Sequence, residues 1–160
     1  MMVAAKSHDG APASILLVED EPIALMEISH HLKKLGYPSV TTASSGEEAV
    51  SKARSSAFDI CLMDIVLEGE MDGIEASRHL QEEYGVPVVF LTSHADEETL
   101  ERARQTSPFG YLIKPVDRLP LHTALEMALS KHKAETVLRE SEERYRLLFE
   151  KMLSGFILLE

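Results

Sequence analysis

Residues 14–22 read Ser14-Ile15-Leu16-Leu17-Val18-Glu19-Asp20-Glu21-Pro22: an apolar run, an acidic triplet, and a proline suited to the first turn of a helix. An apolar run without polar alternation marks a strand buried on both faces, the condition of a strand inside a parallel sheet. The following helix is predicted from Pro22, with Ile23, Met26, Ile28, Leu32 and Leu35 on one face and Gly36 as its stop. This strand-then-helix unit repeats along the chain. Pro38 to Thr42 is a weaker strand; Ser45-Gly46-Glu47-Glu48 opens a second helix with acid at its positive end; Ile60 to Met63 is the third strand's counterpart of the first run. A helix over about Gly73–Tyr84 turns Ile74 and Leu80 inward. Val86 to Leu91 is the most apolar strand, Asp96-Glu97-Glu98 begins a fourth helix, Tyr111 to Ile113 makes a fifth strand, and a fifth helix starts near Val116. Alternation of this kind predicts an α/β fold, a doubly wound five-stranded parallel sheet with an extended C-terminal helix.

Ahead of Ser14, the stretch containing Ala4, Ala5, Gly10, Ala11 and Pro12 has no periodicity, so residues 1–13 are expected to be a flexible tail. The 160-residue chain suits one domain plus an appendage. Sixteen Lys+Arg against 27 Asp+Glu give a net charge of −11, which disfavours a phosphate-neutralising surface, so direct nucleic-acid binding is not expected. No apolar run approaches the roughly 18 residues of a membrane span, and the first residues lack the apolar stretch of a secretory signal, so neither membrane insertion nor export is expected. The single cysteine, Cys61, lies in an apolar run and reads as a buried, inert thiol, in keeping with a cytoplasmic setting.

In doubly wound folds ligands bind beyond the carboxyl ends of the strands. Glu19 and Asp20 follow strand one, Asp64 follows strand three, Thr92 follows strand four and Lys114 follows strand five, all at that edge. Three convergent carboxylates repel one another unless a cation neutralises them, and an all-oxygen site with room for water suits Mg2+. Lys114 adds a positive group able to pair with an anion attached to a carboxylate, and Thr92 offers a hydroxyl donor. Together they describe a phosphoryl acceptor, because transfer to a carboxylate needs positioning and charge neutralisation above all. Taken singly, each is ordinary: an acidic helix cap, a loop carboxylate, a surface lysine, a strand-end hydroxyl. The seven histidines show no metal-ligand spacing, and His94 reads as a loop residue.

With these residues in place, the chain over about Ser14 to Lys131 resembles the receiver domain of two-component response regulators. The marks are Ile15 to Glu21, Asp64 in Leu62-Met63-Asp64-Ile65, Met71-Asp72-Gly73, Thr92-Ser93, and Gly110-Tyr111-Leu112-Ile113-Lys114-Pro115. The resemblance implies strand order 2-1-3-4-5, with Asp64 taking a phosphoryl group from a histidine kinase or phosphotransfer protein. It implies that Asp20, Asp64 and the Val66 carbonyl bind Mg2+ directly and Glu19 through water, and that Thr92 and Tyr111 are paired switch residues. Lys114 would bind the phosphoryl group, and the Lys114-Pro115 peptide would be cis. The chain departs from the pattern twice: no proline follows the acceptor aspartate, so the loop Ile65 to Glu70 is expected to be more mobile, and Glu19 stands where an aspartate is usual.

Other classes fit less well. A haloacid-dehalogenase-like phosphatase needs a second aspartate two residues after the first, where Val66 stands, and a flavodoxin-like flavin site needs a phosphate loop where Glu19-Asp20-Glu21 would repel phosphate. A receiver-fold interaction or dimerisation module that works without phosphorylation is the alternative of a different kind.

Beyond the receiver stretch, Met127, Lys131, Ala134, Leu138, Ser141, Tyr145, Leu148 and Met152 alternate four- and three-residue steps. Two readings fit: a coiled-coil seam giving a homodimer, or an amphipathic helix packed on its own domain. A homodimer through the face of helix four, strand five and helix five is the other arrangement. Residues 132–153 read as a signalling helix or linker. Glu143 to Glu150 followed by Gly155 to Leu159, with Ile157-Leu158-Leu159 as a strand, resembles the opening helix and first strand of a PAS domain, so residues 154–160 read as the start of a truncated one.

Overall fold

The computed structural model describes residues 2–93 and 96–158; His94 and Leu159 lie outside that range. Five parallel strands, β1 (Ile15–Val18), β2 (Val40–Ala43), β3 (Ile60–Asp64), β4 (Val88–Thr92) and β5 (Gly110–Ile113), form a sheet in the order β2-β1-β3-β4-β5. They alternate with α1 (Pro22–Lys34), α2 (Gly46–Ser55), α3 (Gly73–Tyr84), α4 (Glu97–Gln105) and α5 (Arg118–Leu158). Sequence and structure agree on the fold class and the strand order.

The period of two along each strand divides the core into two layers. Ile15, Leu17, Ile60, Leu62, Val89, Leu91 and Leu112 pack toward α1 and α5, meeting Ile28, Leu32, Leu35, Leu121, Leu125 and Ala128. Their neighbours Leu16, Val18, Cys61, Met63, Val88 and Phe90 pack toward α2, α3 and α4. With both faces covered, the central strands have no solvated side, which is why they read as solid apolar runs. Cys61 is fully buried, and burial holds its thiol above the ordinary range, as expected for an inert side chain.

Sequence punctuation placed the helices. Pro22 opens α1, the Ser45 hydroxyl accepts the Glu48 N–H at the start of α2, and Asp72 and Asp96 accept the N–H groups of Glu75 and Thr99 to cap α3 and α4. Gly85, at φ 64°, closes α3 in the left-handed region.

Three expectations are corrected. Ile23 and Met26 are 67% and 72% exposed, whereas Leu25, Ile28, Leu32 and Leu35 make the inward face of α1. At about 100° per residue, Ile23 and Met26 stand roughly 140–200° round the helix from Ile28, so one face cannot hold both sets. The N-terminal segment is packed rather than tail-like. Ala4 and Ala13 are buried, the Ala5 N–H donates to Tyr37 Oη at 2.9 Å, and a bridge between Lys6 and Pro12 closes a turn through Gly10. Ala4 stands against Gly36 and shares a core cluster with Leu35 and Tyr37 at the end of α1, and small side chains with no periodic pattern do not announce such a contact in the sequence. Finally, α5 is helical through Leu158, so the strand expected at Ile157-Leu158, which a PAS opening requires, is not formed. A lone strand leaves its backbone groups unpaired, and a helix satisfies them within itself.

Candidate functional site

The sheet order changes direction at β1: the chain leaves β1 toward β2 on one side, and β3 lies on the other. Loops leaving β1 and β3 therefore diverge and open a crevice at their carboxyl ends. Glu19 and Asp20 enter it from β1, and Asp64 from the last position of β3. Oxygens of these three carboxylates lie within 4.8 Å of one another. Glu19 and Asp64 are only 1% and 4% exposed, while Asp20 is half-buried.

Lys114 reaches this cluster from the end of β5. Its Nζ donates to Asp64 Oδ2 at 2.9 Å and to Glu19 Oε2 at 3.0 Å. The root of the side chain is held by its own backbone N–H, which donates to the Thr92 carbonyl at 2.8 Å, and the Lys114–Pro115 peptide is cis. Burial alone would push the ammonium down, but hydrogen bonds and charge from Asp64 and Glu19 outweigh it and raise it above the ordinary lysine range. Glu19 moves up to about 7, first because it is desolvated, then because Asp64 stands beside it; Lys114 and the Glu21 N–H only partly offset this.

That shift has a sign that can be measured on metal-free protein. Glu19 titrates at about 7 in the fold against 4.5 for an unperturbed glutamate, so between these values the folded chain holds a proton that the unfolded chain has lost. Its contribution is present in full below about pH 4.5 and is lost as pH rises through about 7. Thermal melts in a chelator are therefore expected to show the Glu19 contribution falling across this window, and Glu19→Gln to remove that part of the slope. An identical slope in the variant contradicts the assignment.

The loop after Asp64, expected to be mobile for want of a proline, is tied down. Val66 N–H donates to Asp64 Oδ1 and Glu68 N–H to Asp20 Oδ2, both at 3.1 Å, and Met71 N–H donates to Glu47 Oε1 at 2.7 Å. Sequence reasoning missed the role of Glu47, which looked like an ordinary first-turn acid. Its partner is 24 residues away, and no local signal marks it. Asp72, besides capping α3, pairs with Arg102 of α4 at 3.0 Å. Gly73 admits no side chain, since a Cβ there would stand 1.8 Å from the Asp64 carbonyl oxygen.

Thr92 ends β4 one residue beyond Leu91, the register partner of Asp64. Tyr111 pairs in register with Phe90, with ring centroids 6.0 Å apart, and is 41% exposed. By strand alternation Thr92 and Tyr111 share the α4 side of the sheet, with Thr92 at the edge and Tyr111 on the rim. The structure thus brings Glu19, Asp20, Asp64 and Lys114 together; Thr92 borders them and Tyr111 stands farther off.

With all three carboxyl groups ionised, the one ammonium leaves two negative charges uncompensated in a crevice whose candidate ligand atoms are all oxygens. Such a set fits a hard divalent cation that retains part of its water shell.

The family model of the response regulator receiver domain matches residues 15–126. The chain is 33% identical over 127 residues to the transcriptional regulatory protein PdtaR of Mycobacterium tuberculosis, covering 79% of this chain and 62% of that protein. It therefore spans under two thirds of that relative. Among solved structures, the receiver domain of a modulated diguanylate cyclase from Desulfovibrio desulfuricans is similar, with 41% identity, a TM-score of 0.74, and 77% and 98% of the two chains covered. The receiver domain of a sensor histidine kinase from Pseudomonas aeruginosa, solved with a magnesium ion coordinated in its active-site cleft, is similar at 36% identity and a TM-score of 0.67, covering 74% and 98%.

Proposed function

The chain belongs to the response regulator receiver family of two-component systems, and from that premise we propose that Asp64 is its phosphoryl acceptor. The observation that carries this reading is the Lys114 ammonium, held within 3.0 Å of both Asp64 and Glu19 at the sheet's carboxyl edge. A carboxylate oxygen of Asp64 attacks the phosphorus of a phosphohistidine on a histidine kinase or phosphotransfer protein. The new O–P bond forms as the N–P bond breaks, and the departing imidazole recovers its electron pair and takes up a proton from water. Lys114 already touches the Asp64 oxygen, so a phosphoryl group arriving there meets a fixed positive charge. Asp20, Asp64 and the Val66 carbonyl would hold Mg2+, with Glu19 acting through water; when bound, the ion supplies charge neutralisation for the phosphoryl oxygens.

Thr92, at the end of the neighbouring strand, offers its hydroxyl to the phosphoryl group. Movement of Thr92 inward would free space for Tyr111 on the same side of the sheet, so the rim formed by α4, β5 and α5 changes shape. The receiver body comprises residues 14–131, and residues 132–153 link it to whatever the full protein switches. No helix among the described residues is long and apolar enough to cross a membrane, and a cytoplasmic setting suits the proposed kinase partner.

Incubation with acetyl phosphate and Mg2+ is expected to add a single phosphoryl group to the chain by mass, and a chelator is expected to prevent it. Failure of labelling with the metal present, in protein shown to be folded, overturns the reading.

A further inference from the structure

Helix α5 packs against the sheet only over its first turns. Leu121, Leu125 and Ala128 are buried, and beyond His132 the helix continues to Leu158 with almost every described side chain exposed. The exposed positions include Leu138 at 59%, Tyr145 at 74%, Leu148 at 58% and Met152 at 71%. Of the two sequence readings, an amphipathic helix packed on its own domain does not hold for this stretch, because none of the described residues of that domain covers it. An apolar stripe of this size on an exposed helix, interrupted at Ser141, calls for a partner.

We propose that the stripe is a parallel two-stranded coiled coil formed with a second copy of the chain, running from Ala134 to Met152. Leu138, Tyr145 and Met152 take the a positions, and Ala134, Ser141 and Leu148 the d positions, of successive heptads. Lys131, which the spacing alone would place in this seam, instead lies 5.3 Å from the centre of the Phe109 ring in its own domain, with His132 edge-on to the same ring at 5.7 Å. The seam therefore starts after it, and the like charge that would have weakened it is removed. At about 100° per residue the seam lies on average roughly 150° round the helix from the buried face of α5, so two receiver bodies sit outside the paired helices without colliding.

Charge decides the direction. Parallel pairing sets Val137 of one copy beside Glu142 of the other, and Arg144 beside the exposed ring of Phe149, with no like-charge contact. Antiparallel pairing through the same apolar layers would set Arg144 against Arg144 and Glu142 against Glu142.

The test uses the full chain. Analytical ultracentrifugation is expected to show a concentration-dependent dimer, and Leu138→Glu combined with Leu148→Glu to weaken it at least about tenfold while the melting of the receiver body and its labelling by acetyl phosphate are unchanged. Both positions are solvent-exposed, so the variant is expected to fold. Direction is read by Met152→Cys, which oxidises to a disulfide-linked dimer only if the helices are parallel; in the antiparallel layers the two copies of residue 152 stand about 27 Å apart, and the buried native Cys61 does not compete. A chain that stays monomeric, a doubly charged variant that dimerises like the wild type, or a dimer that does not cross-link through residue 152 would each overturn the proposal.

Discussion

Gly73→Ala is expected to destabilise the domain by about 3 kcal/mol or more, at the upper end of what overpacking does. The added methyl would stand 1.8 Å from the Asp64 carbonyl oxygen and 3.0 Å from the Ile65 Cα. Backbone on both sides of the clash leaves no flexible side chain to give way, so either the start of α3 or the end of β3 must move. Moving α3 breaks the Gly73 N–H bond to the Ile65 carbonyl, and moving β3 displaces Asp64, the proposed phosphoacceptor. A loss of stability should therefore be accompanied by slower labelling of whatever protein stays folded. Urea denaturation of the two proteins measures the first effect, and Gly155→Ala serves as the control. A Cβ at Gly155 meets nothing within 4 Å, so alanine there is expected to be neutral or to stabilise the helix by up to about 1 kcal/mol. A Gly73 variant within about 0.5 kcal/mol of wild type would show that the close approach is relaxed in solution.

The fold was legible because β1, β3 and β4 are buried on both faces, a condition that writes itself into the sequence as unbroken apolar runs. The site was legible for a related reason: Glu19, Asp20, Asp64 and Lys114 each lie at the end of a strand, so knowing the strands and their direction brings the four to one edge. What escaped the sequence depends on distant partners. Glu47 holds Met71 of the loop after β3, and Asp72 holds Arg102, 30 residues on; neither acid differs locally from a solvated helix-end residue. The N-terminal segment escaped because alanines carry no periodic signal, and its place is set by Tyr37 and the end of α1. Ile23 and Met26 misled the reading of α1 because apolar residues on the outer face were counted along with those on the inner one.

Asp64→Asn is expected to abolish phosphorylation while leaving the fold at least as stable in the absence of metal. Asparagine keeps the shape of the side chain, but its single amide oxygen can accept from only one of the two donors that the carboxylate serves through separate oxygens, the Val66 N–H on Oδ1 and Lys114 Nζ on Oδ2, and relief of charge repulsion offsets the bond that is lost. It removes one of three mutually repelling carboxylates, so the charge balance against Lys114 improves. What it lacks is a carboxylate oxygen able to form the new bond to phosphorus. Loss of labelling therefore separates chemistry from folding, which substitutions of Gly73 cannot do. The direct measurement is intact-mass spectrometry of wild-type and Asp64→Asn chains after the same exposure to acetyl phosphate and Mg2+, with thermal melts confirming that both are folded. One added phosphoryl group on the wild type and none on the variant is the expected result; equal labelling of the two would contradict Asp64 as the acceptor.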